Sequence, residues 1–235
     1  MLGMPCGEGA VDTLGPYEIL DTLGLGTTGT VYKAQWNALN RMVALKALRH
    51  SPESDFYVRS QRFLREARVL ASLTGGAEAN IPTLHAVMEH DGQRFHVREL
   101  VDGNTLEQLV TTGSVDLRTR TQILHTVAGV VQRVHARGFA HRQLYPSNVL
   151  VSRDGIPKLI GFGFVGVLEG SEMLGAGASG VPVEVDVRAL QRMLSWLCAR
   201  VRPPIPLCLD LIQQPGSIES PAAFAEALGN CLREL

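Results

Sequence analysis

Apolar and polar positions alternate with a period near two over three early stretches, YEILDTLG (17–24), GTVYKAQW (29–36) and RMVALKAL (41–48), each bounded by turn residues. That pattern predicts three short strands of an antiparallel meander. Phe63, Leu64, Ala67, Leu70 and Leu73 then recur at three- and four-residue steps, which predicts a helix over 58–73. TLHAVMEHDGQRFHVREL (83–100) reads as a hairpin turning at Asp91-Gly92. Beyond Gly103 the helical period dominates. TLEQLV starts a helix behind Thr105, and 119–137 carries Ile123, Leu124, Val127, Val130, Val131 and Val134 on one stripe that ends near Gly138. NVLVSRDGIPKLIGF (148–162) is a strand, a turn and a strand, while the small, Gly-rich residues 169–183 read as a loop. Val187, Leu190, Leu194 and Leu197 mark another helix, and two short helices around 207–214 and 221–233 finish the chain. The predicted class is α+β, an antiparallel sheet with one main helix followed by a mostly helical part.

Composition narrows the field. With 235 residues, 45% apolar and 19% charged, the chain can bury a core without disulfide or metal staples. A formal net charge of -1, from 22 basic and 23 acidic residues, argues against nucleic acid or an anionic membrane as a bulk electrostatic partner. Only Lys33, Lys46 and Lys158 are lysines; every other basic residue is arginine. Cys6, Cys198, Cys208 and Cys231 show neither metal-ligand spacing nor a disulfide framework. The start MLGMPCGEG lacks the pattern of a signal peptide, and the apolar run LIGFGFVGVL (159–168) is too short to span a bilayer. The expected setting is cytoplasmic and reducing.

Two motifs carry candidate chemistry. Gly24, Gly26, Gly29 and Val31 fit G-x-G-x-x-G-x-V, in which glycines let a hairpin backbone approach phosphates closely. A strand follows the glycines, which excludes the strand-to-helix dinucleotide fingerprint. An ordinary Gly-rich turn is the alternative. Val43-Ala44-Leu45-Lys46 follows one strand later, and a lysine in an apolar strand is costly unless paired. Glu66 on the next helix is the available partner; a surface lysine and an unrelated glutamate are the alternative.

The stretch from His135, HARGFAHRQLYPSNVLVSRDGIPKLIGFG, resembles the catalytic and metal-binding loops of bacterial-type Ser/Thr protein kinases, and the likeness covers roughly residues 16–195. It implies a two-lobe fold: a leader at 1–15 expected to be flexible, an N-lobe at 16–101 and a shortened C-lobe at 102–235. The family pattern H-R-D-L-K-P-x-N stands here as His141-Arg142-Gln143-Leu144-Tyr145-Pro146-Ser147-Asn148. Gln143 thus replaces the aspartate that accepts the substrate hydroxyl proton, and Tyr145 replaces the lysine that supports the transferring phosphoryl. Gly161-Phe162-Gly163 stands for D-F-G, so the metal-binding carboxylate is gone, whereas Asn148 remains. By the same resemblance Val31, Ala44 and Leu150 would sandwich adenine. Leu70, Leu84, Phe162 and His141 would form an apolar stack tied to Asp186.

Arg98 falls at the gatekeeper position of that family. A guanidinium there must find a carboxylate, and Glu66 is the candidate, in competition with Lys46 and at the back of the pocket. A one-residue shift would instead turn Arg98 to solvent and Val97 inward. Several substrate-handling features depart from the family too. Pro182-Val183-Glu184 is a poor remnant of A-P-E, and no threonine occurs between 161 and 186. Ile218 replaces the arginine that normally pairs with the A-P-E glutamate, and 199–206 leaves no room for a substrate-docking helix.

The resemblance and its departures imply a pseudokinase: a catalytically inactive, kinase-like regulatory module that binds another protein. The alternatives are a nucleotide-binding sensor and a weak atypical kinase or nucleotide transferase. No cofactor is expected; ATP is compatible with the retained residues, but without normal Mg²⁺ coordination.

Overall fold

The computed structural model describes residues 13–26, 28–49, 53–74, 78–172, 179–199 and 218–234. The chain divides into two compact units, one holding 82–101 with the described residues before them up to 74, the other holding 78–81 and the described residues from 102 onward.

The alternating stretches of the first unit form the strands they predict. These are β1 (Thr13–Leu14), β2 (Tyr17–Leu25), β3 (Gly29–Trp36), β4 (Arg41–Leu48), β5 (Leu84–His90) and β6 (Gln93–Glu99), with helix α1 (Glu53–Thr74) between β4 and β5. They build one sheet in the order β1-β2-β3-β4-β6-β5, every pair antiparallel. The sheet begins inside the leader. Leu14 is buried and Gly15 turns at φ +58°, so Thr13 and Leu14 pair with Glu18 and Tyr17. The β5–β6 turn is made by Asp91 and Gly92 at φ +48° and +73°, the two positive φ angles that a two-residue hairpin turn needs.

Period two sorts the two faces of the sheet. Tyr17, Ala34, Val43, Leu45, Ala47, Phe95 and Val97 form one dry cluster, in which Phe95 meets the Tyr17 ring edge-on at 6.0 Å. The intervening positions Ala44, Lys46, His96 and Arg98 lie on the other face and are also buried, with the Phe63 ring of α1 at 4.8 Å from His96. Both faces of β4 and β6 are therefore covered, which is why polar residues there must find partners inside the protein.

Among the described residues of the second unit the helices are α2 (Leu106–Thr111), α3 (Leu117–Ala136), α4 (Glu184–Cys198) and α5 (Pro221–Glu234). Thr105 and Gln108 form a reciprocal capping box at the start of α2, and Asp116 accepts from the Thr119 N–H at the start of α3. The predicted stripe of α3 is fully buried, and the helix packs on α4 and α5, ending where Gly138 turns at φ +78°. Short strands complete the unit. β7 (Gly103–Thr105), β9 (Val149–Ser152) and β10 (Pro157–Leu159) form one antiparallel sheet, and β8 (Phe139–Ala140) pairs with β11 (Gly166–Val167). A Cβ at Gly103 would lie 1.9 Å from the Val151 carbonyl oxygen, so β7 can pair with β9 only through glycine.

The segment read as a loop after 168 is pinned at both described ends. Leu168 bridges Val181, and the Val181 N–H donates to Val167 O at 2.9 Å. The helix predicted over 207–214 and the connection at 199–206 fall largely outside the described residues. Among the described residues no helix is long and apolar enough to cross a membrane.

Candidate functional site

In the first unit β4, β6 and α1 converge on one carboxylate. Lys46 of β4 sits between Val31 on β3 and His96 on β6 in the sheet register. Its side chain has nowhere to go but inward, and only 6% of the residue is exposed. Glu66 comes from the buried stripe of α1, fully enclosed, and its Oε2 binds the Lys46 ammonium. Arg98 Nη1 lies 3.8 Å from the other oxygen, Oε1, and His96 Nε2 lies 4.0 Å from that same atom. Arg98 therefore does reach Glu66. It shares the carboxylate with Lys46, one oxygen each, without displacing it. Val97 is buried as well, but on the opposite face, within the aromatic cluster.

Charge in this cluster follows from burial and neighbours. Burial alone would raise the Glu66 carboxyl, yet Lys46, His96 and Arg98 together hold it below its ordinary value. Burial pushes Lys46 down, and Arg98 adds to this against the pull of Glu66. Burial pushes Arg98 down as well, with Glu66 opposing, but a guanidinium stays protonated. Burial drives His96 down to about 3, with Glu66 opposing and Arg98 and Lys46 assisting, so its ring is neutral at pH 7. Among the described residues, neither ring nitrogen of His96 has a hydrogen-bond partner, and Glu66 Oε1 has none either. The balance is two cations against one carboxylate.

The glycine hairpin lies against this lysine. The Gly26 N–H donates to Gly29 O at 2.8 Å, and a Cβ on Gly26 would stand 3.7 Å from Lys46 Cε. Gly29 is required by the sheet itself, because a Cβ there would fall 2.0 Å from Ala47 O. Gly24 has open space around it. Ala44 of β4 is buried opposite Arg98 in the β6 register.

In the second unit a buried aspartate organises the loop that begins at His141. Asp186, in the first turn of α4, accepts from the His141 N–H at 2.7 Å and from the Arg142 N–H at 2.8 Å. His135 Nε2 stands 2.8 Å from Asp186 Oδ2 and must donate to it. Burial would raise the Asp186 carboxyl, but the hydrogen bonds from His135 and the Arg142 backbone, with those of His141, keep it below its usual value. The His141 ring is fixed in turn: Nδ1 accepts from the Gln143 N–H at 3.2 Å, which leaves Nε2 to donate to Ile160 O at 3.1 Å. Phe162 meets that ring edge-on at 4.7 Å. Asp186→Asn replaces an acceptor with a group that is half donor beside three N–H donors. The expected cost is about 2–3 kcal/mol, read as a lower urea midpoint. An unchanged midpoint would show that these bonds do not hold the loop.

Gln143 and Asn148 are half-buried, Tyr145 is exposed, and Leu150 is half-buried on β9. Asn148 Nδ2 donates to Gln143 O at 2.8 Å. Gly161 stands at φ +92°, and a Cβ there would lie 2.7 Å from Asn148 Nδ2. The Asn148 amide thus occupies the space that a side chain at 161 would need. Gly161 offers a divalent metal no side-chain ligand, and Gln143 and Asn148 offer amide oxygens without charge. Among the described residues no three His, Cys, Asp or Glu side chains converge on one ion site. Glu169, Glu172 and Glu184 are all exposed, while Ile218 is buried.

Two residues of these clusters have no counterpart in the motif reading: His96 and His135. The alternation along β6 places His96 with Arg94 and Arg98 on the polar face, so nothing in it marks burial, whereas His135 follows Val131 of the α3 stripe by one helical turn.

Comparison with known proteins agrees with this architecture. Residues 17–180, more than half of the chain, match the protein kinase domain family. Serine/threonine-protein kinase PknD of Mycobacterium tuberculosis is 35% identical over 151 residues, which cover 63% of this chain and 22% of that protein. Serine/threonine-protein kinase PknA of a Nostoc species is 34% identical over 155 residues, 63% of this chain and 27% of its own. The DNA damage-responsive serine/threonine-protein kinase RqkA of Deinococcus radiodurans is 35% identical over 159 residues, 66% and 23% respectively. The matched part spans about a quarter of the length of these curated relatives. With its antiparallel sheet and single main helix followed by a helical unit, the chain belongs to the protein kinase domain family.

Proposed function

We propose that this kinase-family domain transfers no phosphoryl group and acts as a regulatory module that binds another protein. The observation that carries this reading is the geometry around Asn148. Its amide bonds the Gln143 carbonyl and fills the space beside Gly161, where the family pattern has a metal-binding carboxylate. Phosphoryl transfer needs a group that takes the hydroxyl proton and charge that neutralises the phosphates. The Gln143 amide is not basic enough for the first role, and Tyr145 removes a cation from the second. What survives is the framework: Asp186 holds His141 and Arg142, and Lys46 holds Glu66. A retained framework without its chemistry suits a module that works by binding.

The test is turnover. Radiolabelled ATP with Mg²⁺ or Mn²⁺ and a generic protein acceptor is expected to give neither transfer nor hydrolysis above the buffer blank. Turnover that disappears in both Lys46→Ala and Asn148→Ala would overturn the reading, because it would place the reaction at this site.

A nucleotide-sensing role is the second reading. It is favoured by the survival of Lys46, Glu66 and the glycine hairpin on one unit, with the surplus positive charge described above.

A further inference from the structure

We propose that a cavity in the second unit, between the end of α3 and the turn after β11, takes a guanidinium group from an arginine of the partner protein. The proposal rests on the reading that this domain binds another protein, and names the chemistry of one contact. The cavity holds about 420 Å³, and none of Gln143, Asn148 and Gly161 lines it. Backbone bonds fix its walls. The Leu168 N–H donates to Gly138 O at 2.8 Å, which hangs the chain after β11 on the end of α3. The Ser171 N–H closes a turn onto Leu168 O at 3.2 Å, with Gly170 at φ +73° in the position where such a turn favours glycine. The Glu169 N–H donates to Val181 O at 3.1 Å, and a Cβ on Gly180 would lie 2.6 Å from Glu169 Cα. Glycine at 180 therefore lets the chain close against Glu169.

Three features of the lining suit a cation that donates several hydrogen bonds. Glu169 and Glu172 bring two carboxylates, while Arg137 is the one cationic arginine or lysine side chain there. Arg137 is itself engaged. Even where it meets one of the two glutamates, a carboxylate is left over. α3 ends at Ala136, so the negative end of its backbone dipole stands at the same wall. The third feature is His135, whose side chain is only 5% exposed and which lines the cavity. Its Nε2 is spent on Asp186, and its Nδ1 is buried without a hydrogen-bond partner among the described residues. With Nε2 donating, Nδ1 of the neutral ring is an acceptor, and a buried acceptor left unmet is costly. Among the described residues His135, Glu169 and Glu172 do not converge on one ion site, so a metal ion is not what they share. A planar guanidinium with five N–H donors can span a carboxylate and a ring nitrogen that a single ion cannot. An N–H given to Nδ1 also fixes the tautomer in which Nε2 donates to Asp186. Asp186 in turn holds the His141 and Arg142 N–H groups, so the occupant reinforces that loop through one ring.

The test is an NMR titration of the full ¹⁵N-labelled chain with a pentapeptide carrying one arginine between glycines. The same peptide with citrulline or glutamate in place of arginine, and agmatine as a guanidinium without a peptide, are the comparisons. The arginine peptide is expected to move the amides of 135–138 and 168–172 together with the His135 Nδ1 resonance. Citrulline keeps the shape without the charge and should bind about tenfold more weakly or worse. Glu169→Gln combined with Glu172→Gln should weaken the arginine peptide about as much. Both side chains are exposed, so this variant keeps its fold. Agmatine should bind more weakly than the peptide. The proposal fails if the cavity amides do not move, if the citrulline or glutamate peptide binds as well, or if the double variant binds unchanged. It fails too if His135 Nδ1 stays in place, or if agmatine matches the peptide. Phosphoryl turnover would sink the inactive reading yet leave this site standing. A cavity that takes no arginine peptide would do the reverse.

Discussion

Glu66→Ala is expected to cost roughly 3–5 kcal/mol of stability, the range for breaking a buried charge pair by removing one partner. The size follows from what is left behind. Among the described residues, Lys46 loses the only side-chain hydrogen bond its ammonium makes and Arg98 its only ion pair, so two buried cations are left without a carboxylate. Lys46→Met leaves the carboxylate with Arg98 still 3.8 Å away and should cost less. Arg98→Met removes the surplus cation and should be close to neutral or mildly stabilising. Replacing Lys46, Glu66 and Arg98 together by apolar side chains of similar volume should recover most of the Glu66→Ala loss, because it deletes charge and partner at once. Urea unfolding of the four variants gives the ranking. If Glu66→Ala costs no more than Arg98→Met, the cluster is not held by its carboxylate.

The elements of this fold were legible wherever burial imposes a period. β3 and β4 run over 29–36 and 41–48 as the alternation predicts, because each is pinned by sheet neighbours on both sides. α1 extends several residues before its apolar stripe, since its first turn carries Glu53 and Ser54, which periodicity does not see. β7, β8 and β11 were not legible at all. Two or three residues show no period, and they pair only because the chain around them brings them together. The candidate site divides along the same line. Lys46 and Glu66 could be read as a pair from one costly lysine and one glutamate on an apolar stripe. Glu66 as the carboxylate for Arg98 followed from the resemblance, but that the two cations divide it, one oxygen each, did not, because the outcome depends on which oxygen each cation reaches. Asp186 was legible as a position by resemblance. Its two backbone hydrogen bonds to residues more than forty positions earlier were not, since nothing local in sequence links them.

His96 gives this domain a pH dependence that ordinary surface histidines would not. Its ring is wholly enclosed between Phe63 and the Glu66, Arg98 and Lys46 groups, and burial holds its pKa at about 3. In the unfolded chain the same group titrates near 6.5. Between those values the unfolded state binds a proton that the folded state does not, so stability rises with pH across the window and falls as pH drops through it. The expected loss from this one group is about 2 kcal/mol by pH 5 and on the order of 4 kcal/mol by pH 3. Glu66 adds to the loss only at the acid end, because its depressed pKa keeps its contribution intact until the pH approaches the ordinary carboxylate range. His85 is lowered as well, by burial and then Arg41, so the raw profile mixes the two rings and a comparison of variants isolates His96. His96→Phe keeps a ring against Phe63 and removes the titration. Urea unfolding at pH 7 and pH 5 should show the parent chain losing about 2 kcal/mol more than this variant. Equal losses would mean that His96 can take up a proton where it sits, with Glu66 Oε1 close enough to stabilise it, and that the cluster then carries three cations on one carboxylate.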